Sequence, residues 1–186
     1  MRVLRHLKEY RIIHLVMTNA ERQILKKLYF GEISKEQFLK QYPIDIAKND
    51  KYIYLSVKEA FDNQNKIDLD LALILIVFNR DIVYTDEFIE LLCLLLKAKW
   101  HRQHENITLM LQNIKSPKSI DTLFDTALTK FEYLDYDDSI PLAVKCIHAL
   151  GGINTKEAKE KLKLLSGSDE PIIKEEAKKQ LYPYKS

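Results

Sequence analysis

The sequence predicts an all-α protein assembled from short antiparallel helix pairs, on three observations. Only 4 glycines and 5 prolines punctuate 186 residues. A sandwich or barrel needs more turn residues than that, whereas helices joined by short loops need few. Helix caps and stops recur at short intervals from Thr18 to the C-terminus, and from Trp100 onward the caps and apolar positions repeat. With 46% hydrophobic residues, a chain of this length can bury a sizeable core.

The elements follow in order. Thr18 or Asn19 caps a helix through Ile24, Leu25, Leu28 and Tyr29, and Gly31 stops it. Ser34 with Gln37 forms a capping box for a short helix carrying Phe38 and Leu39, which ends near Pro43. From about Asp50, Tyr54, Val57, Ala60 and Phe61 draw one apolar stripe. Leu69–Phe78 is apolar nearly all round, as in a helix packed on several sides. Thr85 opens a helix with Phe88, Ile89, Leu92, Leu95 and Leu96, running to about Lys99. His101–Ile114 reads as the next, with Ile107, Met110, Leu111 and Ile114 on one face. Ser116-Pro117 then places a cap before a first-turn proline, whose missing N–H costs nothing there. That helix continues through Ile120, Leu123, Phe124, Ala127 and Leu128. After an acidic turn at Asp135–Asp138, Ile140-Pro141 opens a helix with Ala143, Cys146, Ile147 and Leu150, closed by Gly151-Gly152. Asn154 caps Thr155–Leu165, with Ala158, Leu162 and Leu165 facing inward, and Asp169-Glu170-Pro171 opens the last helix through Ile173, Ala177 and Leu181.

The last two pairs superimpose as sequences. Ser116-Pro117-x-x-Ile120 matches Asn154-Thr155-x-x-Ala158 at an offset of 38 residues, and Cys146-x-x-x-Leu150 matches Ala177-x-x-x-Leu181 at 31. The offsets differ because the acidic turn lengthens the first pair. A small residue four before a leucine lets two helices approach while the leucine fills the groove beyond. No pair of this length buries its apolar face alone, but stacked neighbours do. The run Ala149-Leu150-Gly151-Gly152-Ile153-x-Thr155-x-Glu157-Ala158-x-x-x-Leu162 resembles the core signature of HEAT repeats, covering Ser116 to Leu181 and more loosely back to Thr85. The resemblance implies a right-handed α–α superhelix, a HEAT-like solenoid. Residues 1–84 would form a helical lead-in or cap, and residues 85–186 the repeats, as one continuous α-solenoid.

Net charge is +2, from 29 basic and 27 acidic side chains, which argues against a simple polybasic nucleic-acid binder. The balance hides an asymmetry: residues 62–90 and 121–138 each carry −5, and the first 27 residues carry +5. Cys93 and Cys146 stand apart among apolar helical neighbours, without metal or redox spacing, and are expected to be reduced thiols. Near the N-terminus, Ile12–Met17 is shorter than a signal-peptide core and interrupted by His14. The longest pure apolar run, Leu71–Phe78, is far below the roughly 20 residues that span a bilayer. A soluble, cytoplasmic protein without membrane association is expected. Residues 1–16 remain open to two readings, an extension ahead of a start at Met17 or an extra amphipathic helix.

Three stretches are candidates for chemistry. In Trp100-His101-Arg102-Gln103-His104-Glu105, the histidines share a face if the segment is helical, and could then ligate a metal together. HEAT-like deoxyhypusine hydroxylases resemble this in using His-Glu dyads on several repeats, but only His104-Glu105 forms such a dyad here. No metal or other cofactor is therefore expected, and Glu105 reads as a favourable acid near a helix N-terminus. The second stretch, Glu132–Ser139, holds four carboxylates and two tyrosines. It lacks the order and glycine of a calcium loop, and its composition suits recognition of a basic protein. The third is the Lys156–Lys179 end, whose interleaved acids suit solvated helix faces. HEAT-like DNA glycosylases use an arginine- and tryptophan-rich cleft, and Trp100 is the single tryptophan. No phosphate loop, nucleophile elbow or catalytic triad is present, so no catalytic residue is assigned.

The expected function is protein binding without catalysis. Partner-binding candidates are Trp100, His101, His104, Glu105, Tyr133, Asp135, Tyr136, Asp137 and Asp138. Their arrangement and the helical lead-in resemble small bacterial HEAT-repeat proteins that act as immunity partners of polymorphic or contact-dependent toxins. That resemblance implies a partner such as a basic toxin domain, occluded by an acidic, tyrosine-bearing surface. A generic scaffold is the alternative, ahead of a glycosylase-like or metal-dependent enzyme.

Overall fold

Every element of the structure, a computed structural model describing residues 17–79, 81–134 and 140–182, is helical. Ten α-helices are described: α1 (Asn19–Tyr29), α2 (Lys35–Gln41), α3 (Asp50–Asp62), α4 (Lys66–Phe78), α5 (Asp86–Lys97), α6 (His104–Ile114), α7 (Ile120–Ala127), α8 (Pro141–Ile153), α9 (Lys156–Leu165) and α10 (Pro171–Leu181). Short 3-10 turns lie at Ile46–Lys48, Pro117–Ser119 and Glu132–Leu134, and no strand occurs among the described residues. No described helix is long and apolar enough to cross a membrane. The chain divides into two compact units, Met1–Val83 and Tyr84–Ser186. The readings of residues 1–16 lie outside the described residues.

In the N-terminal unit, Thr18 is the cap of α1. Its hydroxyl accepts from the Glu21 N–H, and the Glu21 carboxylate accepts from the Thr18 N–H at 2.6 Å, a reciprocal box that satisfies two orphan donors. Gly31, at φ +72°, closes the helix: its N–H reaches the Leu28 carbonyl while Glu32 N–H reaches that of Lys27. The same closure at the end of α3 puts Gln64 at φ +48° without a glycine, which no sequence signal announces. The buried face of α3 is Tyr52, Ile53, Ser56, Val57 and Ala60, so the stripe is rotated from the expected one and Tyr54 and Phe61 lie at its margins. Helix α4 contacts α1 and α3 and buries Leu69, Leu71, Ala72, Leu73, Leu75 and Ile76. Phe38 on α2 packs between Tyr42 and Phe78, and the Tyr42 and Tyr52 hydroxyls meet at 2.7 Å inside the core.

Arg22 on α1 grips Asp68 on α4 through two parallel bonds, Nε to Oδ1 at 2.7 Å and a terminal nitrogen to Oδ2 at 2.8 Å. The pair is largely shielded, with side chains 22% and 13% exposed, so it contributes more than a solvated ion pair. Arg22→Met keeps the stem and removes the fork. It is expected to lower the stability of this unit by about 1–2 kcal/mol, read from a urea titration by far-UV circular dichroism. A loss below about 0.3 kcal/mol would show that water screens the pair.

The C-terminal unit arranges its six helices in two rows. Helix α5 packs on α6 and α7; both α6 and α7 pack on α8; α7 also meets α9, and α8 meets α9 and α10, which pack on each other. One row is α5, α7, α9 and the other α6, α8, α10. Helix α8 thus touches four helices, and Leu142, Ala143, Cys146, Ile147, Ala149 and Leu150 are buried along it. Lateral polar contacts run along both rows: the ion pairs Lys97–Asp125 and Lys161–Asp121 on the first, and the ion pair Glu105–Lys145 with the hydrogen bond between His148 and Glu176 on the second. Lys118 bridges back to Asp86 and Glu90.

Several boundaries differ from expectation. Gly151-Gly152 does not close α8, which runs to Ile153 and ends on Asn154 at φ +56°. Asn154 is therefore the end of α8, and Thr155 caps α9 by accepting from the Ala158 N–H. Ser116-Pro117 opens a 3-10 turn that precedes α7. Residues His101–Gln103 are not helical, and α6 begins at His104.

Candidate functional site

The segment between α5 and α6 is organised by its two histidines. The last carbonyls of a helix lack intrahelical donors and must find others. The Leu95 carbonyl accepts from His101 Nε2 at 2.9 Å, and the Ala98 carbonyl from His104 Nε2 at 2.8 Å. Since a carbonyl only accepts, each Nε2 carries a hydrogen. His101 Nδ1 in turn accepts from the Gln103 N–H at 3.0 Å, at the start of α6. His104 Nδ1 lies 2.7 Å from the Tyr133 hydroxyl, which donates to it. Both rings are neutral with every nitrogen engaged. They close α5 and open α6.

Packing reinforces this arrangement. The two imidazoles stack with centroids 4.5 Å apart, Trp100 sets its edge on His101, and Phe131 lies 4.1 Å from His104 on the other side. Arg102 sits over the Tyr133 ring. His101 is 2% exposed and His104 0%. Burial, then the neighbouring His104, pushes His101 down to about 4, against the opposing pull of the Leu95 carbonyl. Burial likewise lowers His104. Neither ring keeps a lone pair for a metal, since each Nδ1 is taken and each Nε2 is protonated. Among the described residues no three His, Cys, Asp or Glu side chains converge as metal ligands do. Thr108, one turn into α6, donates to the His104 carbonyl and lies 3.8 Å from Cys146 Sγ. Burial pushes the Cys146 thiol up to about 12 and also raises Cys93, so both remain thiols.

The predicted site residues thus separate into two sets. His101, His104 and Tyr133 come together as one cluster with Trp100 beside it, although the histidines do so from a loop and a helix start instead of one helix face. They face inward. Glu105, in the first turn of α6, leaves the cluster for Lys145 on α8 at 3.0 Å. Asp135, Tyr136, Asp137 and Asp138 lie outside the described residues. Sequence reasoning missed Phe131, which is 8% exposed and joins α7 to the cluster, and Arg102 over Tyr133. A sequence signal for Phe131 existed in the spacing Ala127-x-x-x-Phe131, which continues the buried face of α7 past its end.

The acidic runs are also smaller as surfaces than as sequences. Asp62 pairs with Lys58, Asp68 with Arg22, and Asp86 and Glu90 with Lys118. Asp121 and Asp125 pair with Lys161 and Lys97. Comparison with family models, curated proteins and solved structures found no match.

Proposed function

We propose that this chain is a protein-binding module whose C-terminal unit is a right-handed, HEAT-like α–α superhelix, acting in the cytoplasm as an immunity protein that binds and neutralises a basic toxin domain. The supporting observation is the inward-locked cluster of His101, His104, Phe131 and Tyr133. It holds Phe131 and Tyr133 in place, and with them the described start of the acidic run, Glu132–Leu134. Pre-organisation of that kind reduces the ordering cost of binding. Charge supports the same location. The α7 acids of the 121–138 run are bridged by lysines of neighbouring helices, so the rest of its negative charge falls on Glu132, Asp135, Asp137 and Asp138. Acids gathered beside tyrosines attract a basic partner and speed its encounter. Trp100, Glu105 and Tyr133 are each half-buried and so within reach of a partner, while His101 and His104 are buried and act by holding Tyr133.

The test is co-expression with the product of a toxin-like gene adjoining its own. A stoichiometric complex and restored growth are expected. Reversal of charge at Asp135, Asp137 and Asp138 together should weaken binding at least tenfold, about 1.4 kcal/mol or more. Full binding by the charge-reversed protein would refute the acidic surface, and a neighbouring toxin that neither binds nor is neutralised would refute the immunity reading.

A further inference from the structure

Resting on the protein-binding reading above, we propose that the C-terminal unit receives an aromatic anchor side chain of its protein partner, flanked by arginine or lysine, in the groove between the end of α7 and the starts of α8 and α10. The groove has a volume of about 350 Å³. Phe131, Leu142, Ala143 and Ile173 form its apolar walls, and Leu128, 52% exposed, stands at its rim. That volume is at the lower end of the range of small-ligand sites, suited to one large side chain and too small for a helix. Aromatic side chains dominate the energetics of protein interfaces when they fill such pockets.

Two further observations bear on this groove. Phe131 lines it on one face and packs against His104 on the other, so the wall is held by the hydrogen-bonded cluster and needs no ordering when a partner arrives. Ile140, also lining it, is at φ +46°, a conformation that β-branched residues avoid. Strained backbone of this kind persists where the surroundings over-determine it. The charge of the rim then specifies what flanks the anchor. Glu170 lines the groove and Asp169 and Glu132 adjoin lining residues, against the cations Lys130, which lines it, and Lys174, which adjoins Ile173, leaving the described rim acidic by one charge. A cationic flank complements it and an acidic flank is repelled.

The probes are three short peptides, Arg-Arg-Trp-Arg-Arg, its Gly-for-Trp version and its Glu-for-Arg version, titrated into the isotope-labelled full chain and followed by NMR. The first should give saturable shifts at Leu128, Ala143 and Ile173, with the other two at least tenfold weaker. Ala143→Phe fills the groove and should abolish saturation. Because that substitution touches the core, Leu128→Glu and Glu170→Lys serve as rim variants: the first should weaken the peptide tenfold, the second threefold or more. Equal binding of the Gly-for-Trp peptide, or no saturable shift at the groove of the folded chain, overturns the proposal. A toxin bound with unchanged affinity by Leu128→Glu and Ala143→Phe would overturn the groove and leave the immunity reading standing. Groove binding of the peptide without any toxin partner would support the groove and defeat the immunity reading.

Discussion

His104→Ala is expected to destabilise the C-terminal unit by about 3 kcal/mol. The side chain is fully buried, and its removal leaves a cavity between His101 and Phe131. It also orphans the Ala98 carbonyl at the end of α5 and deprives the Tyr133 hydroxyl of its acceptor. Large-to-small core changes cost about 2–5 kcal/mol, and each buried polar group left unpaired costs about 1–3 more. Partial access of water to Tyr133 holds the sum toward the lower end. His104→Phe keeps ring volume and removes only the hydrogen bonds, so it should lose about half as much. The measurement has a built-in reporter, because Trp100 is the single tryptophan and its ring touches His101. Urea unfolding followed by tryptophan fluorescence therefore reads this unit, with midpoints compared at unchanged slope. If His104→Ala loses less than about 0.5 kcal/mol, the cluster does not hold the unit together.

Acid should weaken the same unit before the carboxylates titrate. In the folded chain His101 lies near 4, lowered by burial and then by His104, and His104 is lowered by burial. In the unfolded chain both return to about 6.5. Between those values the unfolded state binds more protons than the folded one, so stability falls as pH falls. The contribution is full above about pH 7, declines through 6.5, and levels off only below the folded value. At about 1.36 kcal/mol per unit, His101 alone accounts for a loss of up to about 3 kcal/mol by pH 4. Hydrogen-bond geometry acts in the same direction as burial. A proton on His101 Nδ1 would face the Gln103 N–H, two donors without an acceptor, whereas a protonated His104 can donate to the Tyr133 oxygen instead. His101→Gln should accordingly flatten the stability profile between pH 6.5 and 4.5 more than Tyr133→Phe does. A wild-type profile with no slope in that window would show that these rings titrate normally.

Most of the fold was legible because its signals are local. The cap at Thr18 or Asn19, the capping box at Ser34, the glycine at position 31 and the prolines at 117, 141 and 171 act within one turn of themselves. What was misread depended on distant contacts. A glycine in a helix costs about 1 kcal/mol, enough to read Gly151-Gly152 as a stop. Yet α8 is packed by four helices, and that burial carries it on to Ile153. Asn154 then does what glycine was expected to do, while the capping of α9 passes to Thr155. The histidines show the same limit. Their spacing named the right pair, but not that they would bond carbonyls of the preceding helix and so prevent residues 101–103 from joining α6. Tyr133 was named from the sequence as a candidate for recognition; its bond to His104, 29 residues away, was not visible there. The bridges from Lys118 to Asp86 and Glu90, from Lys161 to Asp121 and from Lys97 to Asp125 likewise cross from other elements and offset part of this charge, so a count along the chain overstates the acidic surface.

The two rows of the C-terminal unit carry a consequence for how it assembles. The main contacts of each described helix in this unit are with its next and next-but-one neighbours, so they do not require the chain to close a very long loop. Low contact order of this kind favours rapid folding from a local nucleus. Helix α8 is the natural nucleus, because two helices made before it and two made after it all pack on it. Assembly then spreads outward in both directions. Among the described helices of this unit, the α9–α10 hairpin docks mainly on α7 and α8, and it is expected to open before they separate.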